Sequence, residues 1–185
     1  MASGALSNIE TLFAGVTAES VRAAADCIVE ARATYVLGVG IAHALTRTFA
    51  YLAGMAVETV VAIPKDSSLP VDDLVRAGEG DVLIAVTFEP YRTEVVQAVR
   101  VAMEQGVTVI AITDSLASPI AQGAAHVFCV PTDSAQFFTS TVALSALFET
   151  LMAFVVADAR DEVVTSIERF HRHRREIGAY WNEDD

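Results

Sequence analysis

The sequence predicts an α/β fold, a three-layer sandwich in which helices cover both faces of a five-stranded parallel sheet. Short runs of β-branched and other apolar residues alternate along the chain with longer segments of helical pattern, as in a series of βαβ units. The runs are apolar on consecutive residues, which is typical of strands covered on both faces. The chain has 185 residues, 53% of them hydrophobic and 19% charged, which suits one folded domain and excludes intrinsic disorder.

Each element follows from these patterns. A helix is predicted at about 8–32, with Leu12, Val21 and Ile28 on its apolar face. The five predicted strands are Tyr35–Leu37, Thr59–Ile63, Val82–Val86, Val107–Ile112 and His126–Val130. Helices are predicted between them at about 42–54, 71–77, 91–105 and 118–123, and after them at about 137–159 and 161–179. We expect a single domain, 1–185, made of an N-terminal helix (1–33), an α/β core (34–131) and C-terminal helices (132–185).

Charge excludes one class of function. The chain has 12 Lys and Arg against 24 Asp and Glu, a net charge of -12. None of the segments 1–33, 34–87, 88–135 and 136–185 is net basic. Binding to the nucleic-acid backbone needs a cationic face, so this chain is not expected to bind DNA or RNA by itself.

The sequence also indicates a cytoplasmic protein without a membrane span. The N-terminus lacks the basic region and the apolar run of a secretory signal. Cys27 and Cys129 show no CxxC spacing, and we interpret them as reduced core thiols. The most apolar stretch, Thr139–Ala157, contains Glu149, whose charge would be costly in lipid. A buried or interface helix is the better interpretation of that stretch.

The first candidate site is the turn after the first strand, Gly38-Val39-Gly40-Ile41-Ala42-His43. Glycines at a strand-to-helix turn let backbone amides approach a ligand, and the helix N-terminus favours an anion. The third glycine of the dinucleotide fingerprint is absent, although Glu58 lies about 20 residues on, where that fingerprint has its acidic residue. A nucleotide site, another anion site and a turn without ligand all stay open.

The second candidate site is the segment Thr87–Glu94, after the third strand. Thr87, Tyr91, Arg92 and Thr93 offer hydrogen-bond donors around a predicted helix start, and Pro90 suits a first helical turn. The segment is therefore a candidate anion or polyol site. The alternative is that Glu89 and Arg92 are solvated loop charges and Tyr91 is a packing ring. Both candidate turns follow strand ends, at the edge where open α/β sheets bind ligands.

A third loop, Pro131–Phe138, follows the fifth strand and offers Ser134, either to a ligand or as a helix cap. The chain has no HExxH motif and no paired cysteines, so we predict neither a metal site nor a cofactor. It also lacks GxSxG and GxxxxGK[ST], which argues against an α/β-hydrolase and a P-loop enzyme.

Several stretches of the chain form a recognisable set: Gly38-Val39-Gly40, Asp81–Phe88, Glu104–Ser115 with Ser118-Pro119, Phe88-x-Pro90-Tyr91, Phe137-Phe138-x-Ser140 and Gly178-Ala179-Tyr180-Trp181. Together they resemble the sugar isomerase (SIS) domain, and in particular the effector-binding domain of RpiR-type transcription regulators. The resemblance covers roughly 8–181, nearly the whole chain.

The resemblance implies a flavodoxin-like fold, a homodimer or a dimer of dimers, and a phosphosugar-type ligand at the carboxyl edge of the sheet. In the first turn Ala42 replaces the usual serine of the family pattern. In the second, Thr87, Glu89, Pro90 and Arg92 stand where the pattern has Ser, Ser, Gly and Thr. Glu89 would repel a phosphate, Pro90 lacks an amide donor, and Arg92 offsets both with a forked guanidinium. The implied ligand-binding residues are Gly40, Ile41, Ala42, His43, Thr87, Glu89, Tyr91, Arg92, Thr93 and Ser134.

Two functions follow from the resemblance. The first is a ligand-sensing effector domain, which would contact DNA only through an N-terminal helix-turn-helix domain for which the 33 residues before the first strand leave no room. No catalytic residue is assigned in that case. The alternative is a stand-alone phosphosugar isomerase, in which Glu149 and His43 are the candidate acid–base residues. A third possibility is an interaction module without a ligand.

Overall fold

The computed structural model describes residues 2–65, 68–157 and 161–181. The helices are α1 (Ala2–Gly15), α2 (Ala18–Glu30), α3 (His43–Ala56), α4 (Pro70–Asp73), α5 (Thr93–Glu104), α6 (Val142–Ala157) and α7 (Asp161–Glu176). The strands are β1 (Thr34–Gly38), β2 (Val60–Ile63), β3 (Val82–Val86), β4 (Thr108–Thr113) and β5 (His126–Cys129). A short 3₁₀ helix, Gly40–Ala42, joins β1 to α3.

The strands form one parallel sheet in the order β2-β1-β3-β4-β5, which confirms the predicted five-stranded sheet. Two buried clusters lie on opposite faces of this sheet. One joins the sheet to α1, α2, α3 and α6 and includes Ile84, and the other joins it to α4 and α5 and includes Leu83. Neighbouring residues of β3 thus face opposite clusters, which is why the strand is apolar on every residue.

Four helix predictions are wrong in extent or existence. The helix predicted at 71–77 is the short α4, which ends at Asp73. The segment predicted as one helix at 8–32 forms two, because Thr17 and Ser20 make a capping box that starts α2 anew. The segment 118–123 forms turns and no helix. The helix predicted from 137 begins at Val142, and residues 158 and 159 of that prediction lie outside the described residues, as do 182–185 of the expected domain.

The apolar segment around Glu149 forms α6. This helix packs against α2, on the face of the sheet that also carries α1 and α3. None of the helices in the described part of the chain combines the length and the apolar character that a membrane crossing requires.

An ion pair between an exposed arginine and a buried carboxylate lies at the amino edge of the sheet. The carboxylate of Asp81, which is 1% exposed, accepts hydrogen bonds from Arg32 Nε at 2.9 Å and Nη2 at 2.6 Å. The backbone N–H of Gly78 donates a third, at 2.9 Å. These contacts, the Arg32 hydrogen bond first, hold the pKa of Asp81 below its ordinary value. The ion pair connects the loop before β1 to the residue that directly precedes β3.

Replacing Arg32 with alanine is expected to lower the midpoint of thermal unfolding, since it leaves a buried carboxylate without its cation. Because the pKa of Asp81 is lower in the folded chain, its contribution is complete above the unfolded-state value of about 3.9. The contribution is lost as the pH falls through the folded-state pKa. The difference in unfolding midpoint between the variant and wild type should therefore become smaller below pH ~4. Thermal melts from pH 7 to pH 3 measure this. Arg76→Ala, at an exposed position, is the control; a gap that does not change with pH would contradict the role of Asp81.

Candidate functional site

The candidate site is a cavity of about 200 Å³ where the turns after β1 and β3 meet. β1 and β3 are parallel neighbours, with Gly38 opposite Val86 at their ends. The chain continues from β1 to β2 on one side of β1, whereas β3 lies on its other side. The carboxyl ends of β1 and β3 therefore form the topological switch point of the sheet. The lining residues come from both turns and one further loop: Val39, Gly40, Ile41, Ala42, Val86, Thr87, Phe88, Glu89, Pro90, Arg92 and Thr139.

The first turn is shaped by two glycines for different reasons. Gly40 has a φ of 59°, a conformation that side chains other than glycine rarely adopt. Gly38 is buried, and a Cβ there would lie 2.5 Å from Thr46 Cγ2 and 3.1 Å from the carbonyl oxygen of Ala42. His43 turns away from the cavity, and its Nδ1–H donates to the carbonyl oxygen of Gly38 at 3.2 Å. His43 therefore stabilises the turn through this hydrogen bond, on the side away from the cavity.

Gly38→Ala is expected to lower the free energy of unfolding by about 1–3 kcal/mol, since Thr46 and the turn must both move. Urea denaturation measures this loss. The matched control is Gly54→Ala in α3, where a Cβ meets open space and a helical glycine is removed. That variant should gain about 0.5–1 kcal/mol. A Gly38→Ala protein as stable as wild type would show that the turn has room to spare.

The second turn is held by its own hydrogen bonds. The hydroxyl of Thr87, which is 3% exposed, accepts from the backbone N–H of Arg92 at 3.1 Å. The backbone N–H of Glu89 donates to Asp114 Oδ2 at 3.2 Å. The guanidinium of Arg92 donates to Glu94 Oε1 from Nε at 3.0 Å and from Nη2 at 2.7 Å. Both charged side chains of the cavity wall, Glu89 and Arg92, are exposed at its mouth.

Pro90 does not occupy a first helical turn. α5 begins at Thr93, with Arg92 as its N-cap residue, so Pro90 lies in the loop and contributes to the cavity wall. Glu94 stands in the first turn of α5, where its charge is favourable, and the hydrogen bonds of that helix end and of Arg92 lower its pKa.

Four of the predicted ligand-binding residues lie outside the cavity wall: His43, Tyr91, Thr93 and Ser134. Burial, and then Asp114, raise the pKa of Tyr91, whose half-buried phenol supports the loop. Ser134 lines a second depression, of about 450 Å³, between the start of α1 and the loop before α6. Its hydroxyl accepts from the backbone N–H of Gln136 at 3.1 Å, and α6 begins too far on for Ser134 to cap it. Thr139 lines both depressions.

The predicted ligand-binding residues did not include five residues of the wall: Thr139, Val39, Val86, Phe88 and Pro90. Val39, Phe88 and Pro90 lie within the two predicted turns, and Val86 directly precedes the second, so the turns were predicted but these members were not singled out. Thr139 lies far along the chain, at the unspecified position of Phe137-Phe138-x-Ser140, and the sequence did not indicate that this position belongs to the site. The remaining predicted residues, Gly40, Ile41, Ala42, Thr87, Glu89 and Arg92, are brought together in one wall.

The two candidate acid–base residues do not share a site. Glu149 is exposed on α6 and lines a small apolar cavity of about 90 Å³ with Phe49 and Phe148. His43 lines neither that cavity nor the one between the turns. The structure therefore offers no pair of groups at these positions to move a proton between adjacent carbons.

The nucleotide interpretation of the first turn finds no support in the position of Glu58. That residue precedes β2, at the amino edge of the sheet, whereas the glycine turn lies at the carboxyl edge. Its carboxylate pairs with Arg169 at 2.9 Å. Within the described ranges, the structure contains no cluster of three or more His, Cys, Asp or Glu side chains that would hold a metal ion.

Comparison with known proteins gives a consistent result. The SIS domain family model matches residues 27–157. The sugar isomerase domain of an RpiR transcription factor from Sphaerobacter thermophilus aligns with a TM-score of 0.84 at 24% identity, covering 92% of this chain and 95% of that chain. The Vibrio vulnificus NanR protein complexed with ManNAc-6P aligns at 0.82 and 18% identity, over 98% of this chain and 69% of that chain.

A third solved structure, E. coli CFT073 c3406 in complex with A5P, aligns with a TM-score of 0.67 at 16% identity, over 90% of this chain and 91% of that chain. At these identities the three likenesses show a shared fold. No curated protein matches the chain in sequence.

Proposed function

The chain belongs to the SIS domain family, and from this premise we propose that it binds a small metabolite of the sugar-phosphate type and is the effector-binding domain of an RpiR-type transcription regulator. The observation that carries the proposal is the cavity between the turns after β1 and β3, at the switch point of the sheet. Its volume of about 200 Å³ suits a metabolite smaller than the drug-sized ligands of larger pockets.

The likeness to known proteins supports this choice. The Vibrio vulnificus NanR structure is complexed with ManNAc-6P, and the c3406 structure is in complex with A5P. The Sphaerobacter thermophilus domain is part of an RpiR transcription factor. The acidic balance of this chain, with a net charge of -12, fits a protein that leaves DNA contact to another domain.

The further parts of the proposal concern assembly and mechanism. We propose that residues 1–185 form one domain, that two copies associate as a homodimer or further as a dimer of dimers, and that the protein acts in the cytoplasm. The predicted contributions of His43, Tyr91, Thr93 and Ser134 stay part of the proposal as supporting residues of the two turns and the adjoining loop. Ligand binding would favour one dimer geometry over another, which is a population shift.

A thermal-shift screen tests the proposed function. The full chain is incubated with a panel of sugar phosphates, including ManNAc-6P and A5P, and with the matching free sugars. A ligand at a hundredfold excess over its Kd should stabilise the folded chain by about 2.7 kcal/mol. The same compounds are then assayed for aldose–ketose conversion, which a sensor should not catalyse. Turnover would favour the isomerase alternative, and a panel without any shift at millimolar concentration would contradict ligand binding.

A further inference from the structure

Two backbone N–H groups of the second turn are already engaged inside the protein. The N–H of Glu89 donates to Asp114 Oδ2 at 3.2 Å, and the N–H of Arg92 donates to the hydroxyl of Thr87 at 3.1 Å. Pro90, between them, has no N–H. A phosphate group is best held by several converging amides or by a cation. The cation that this turn supplies is the Arg92 side chain.

Glu89 places an exposed carboxylate in the cavity wall. That carboxylate has no hydrogen-bonding or ion-pair partner among the residues that the structure describes. The Arg92 guanidinium, in the same wall, is already paired with Glu94 at 2.7 Å. The net charge of the chain is -12. A doubly charged phosphate would meet a like charge at Glu89.

We propose that the ligand carries a protonated amine as well as an anionic group, and that Glu89 binds the amine. This inference rests on the proposed function, because it concerns the ligand of the same cavity. The anionic group lies on Arg92 and competes with Glu94 for its guanidinium, while the ammonium neutralises Glu89. Asp114 accepts a hydrogen bond from the backbone N–H of Glu89, which holds the backbone of Glu89 at the cavity wall. The chemical class is an amino sugar phosphate with a free amine.

Three hexose phosphates that differ only at the second carbon test the inference. Glucosamine 6-phosphate carries an ammonium there, glucose 6-phosphate a hydroxyl, and N-acetylglucosamine 6-phosphate a neutral amide. Affinities are measured by calorimetry at pH 7 for the full chain and for Glu89→Gln. We expect wild type to bind the amine about tenfold or more tightly than the other two, as for a charge-assisted contact. Glu89→Gln should reduce that preference to about onefold, and glucose 6-phosphate should bind at least as tightly as before because the like charge is removed.

Glu19→Gln, at an exposed position of α2 that lines neither depression, is the matched control and should keep the preference. Equal binding of the three hexose phosphates, or a preference that survives Glu89→Gln, would overturn the inference and leave the proposed function standing. The same holds if another sugar phosphate of the panel binds and these three do not. A panel in which no compound binds would instead overturn the proposed function.

Discussion

Arg92→Ala is expected to abolish most of the thermal stabilisation that a sugar phosphate gives to this chain. Arg92 supplies the only cationic side chain of the cavity wall as the described residues define it. Hydrogen bonds to charged groups contribute about 1.5–3 kcal/mol each, which corresponds to a loss of roughly 10- to 150-fold in affinity. Calorimetry with the best ligand of the panel measures this loss, and the melting temperature of the unliganded variant should stay close to that of wild type, since Arg92 is exposed.

Two variants control the experiment. Arg100→Ala removes an exposed arginine from α5, the helix that follows Arg92, away from the cavity, and should leave affinity unchanged. Glu94→Gln removes the partner that holds Arg92 at 2.7 Å, so the guanidinium becomes available and affinity should rise or stay the same. An Arg92→Ala protein that binds as well as wild type would show that the anionic group of the ligand lies elsewhere.

The sheet could be predicted because its signal is local. β3 is apolar at every position of Val82–Val86, and burial on two faces demands that pattern wherever the strand lies. The order of the strands is different, since it depends on which neighbours pair in space. Nothing in the sequence states that β1 lies between β2 and β3, although this order is what brings the two turns together.

Helix boundaries were harder, because their signals are ambiguous in this chain. Thr139, Ser140 and Thr141 are all suitable residues before a helix, so the apolar run that follows does not fix where α6 begins. The break between α1 and α2 has a signal of its own. Thr17 accepts from Ser20 N–H at 3.1 Å, and the serine at the fourth position replaces the more familiar glutamate or glutamine of that motif.

The candidate site was predicted where chemistry and position coincide. Gly40, Thr87 and Arg92 follow strand ends, and strand ends of a parallel sheet share an edge. His43 and Tyr91, which were predicted with them, lie outside the cavity wall. Those side chains are polar and close in sequence, yet one hydrogen-bonds Gly38 and the other lies against the loop next to Asp114. Sequence proximity does not tell which side of a turn a side chain will face.

Phe49→Ala is expected to have the largest effect on stability of the substitutions considered. Phe49 lies in α3, is 1% exposed, and stacks on Phe148 of α6 with ring centroids 4.5 Å apart and an interplanar angle of 25°. Removing a buried phenylalanine costs about 3–5 kcal/mol, and a ring pair contributes about 0.5–1.5 kcal/mol beyond its buried area. Domains of this kind are stable by about 5–15 kcal/mol in total. Urea denaturation at neutral pH measures the loss.

The expected loss follows from the position of α3, which connects the first turn of the cavity to the layer formed by α1, α2, α3 and α6 on one face of the sheet. α3 starts at His43, directly after the 3₁₀ helix Gly40–Ala42, and Phe49 anchors it against α6. Phe137→Ala, at a side chain that is 95% exposed, should change stability by less than about 0.5 kcal/mol and serves as the control. If Phe49→Ala lost less than about 1 kcal/mol, α3 would be held mainly by its contacts with β1 and β2. The helical layer could then move without disturbing the turn that forms the cavity.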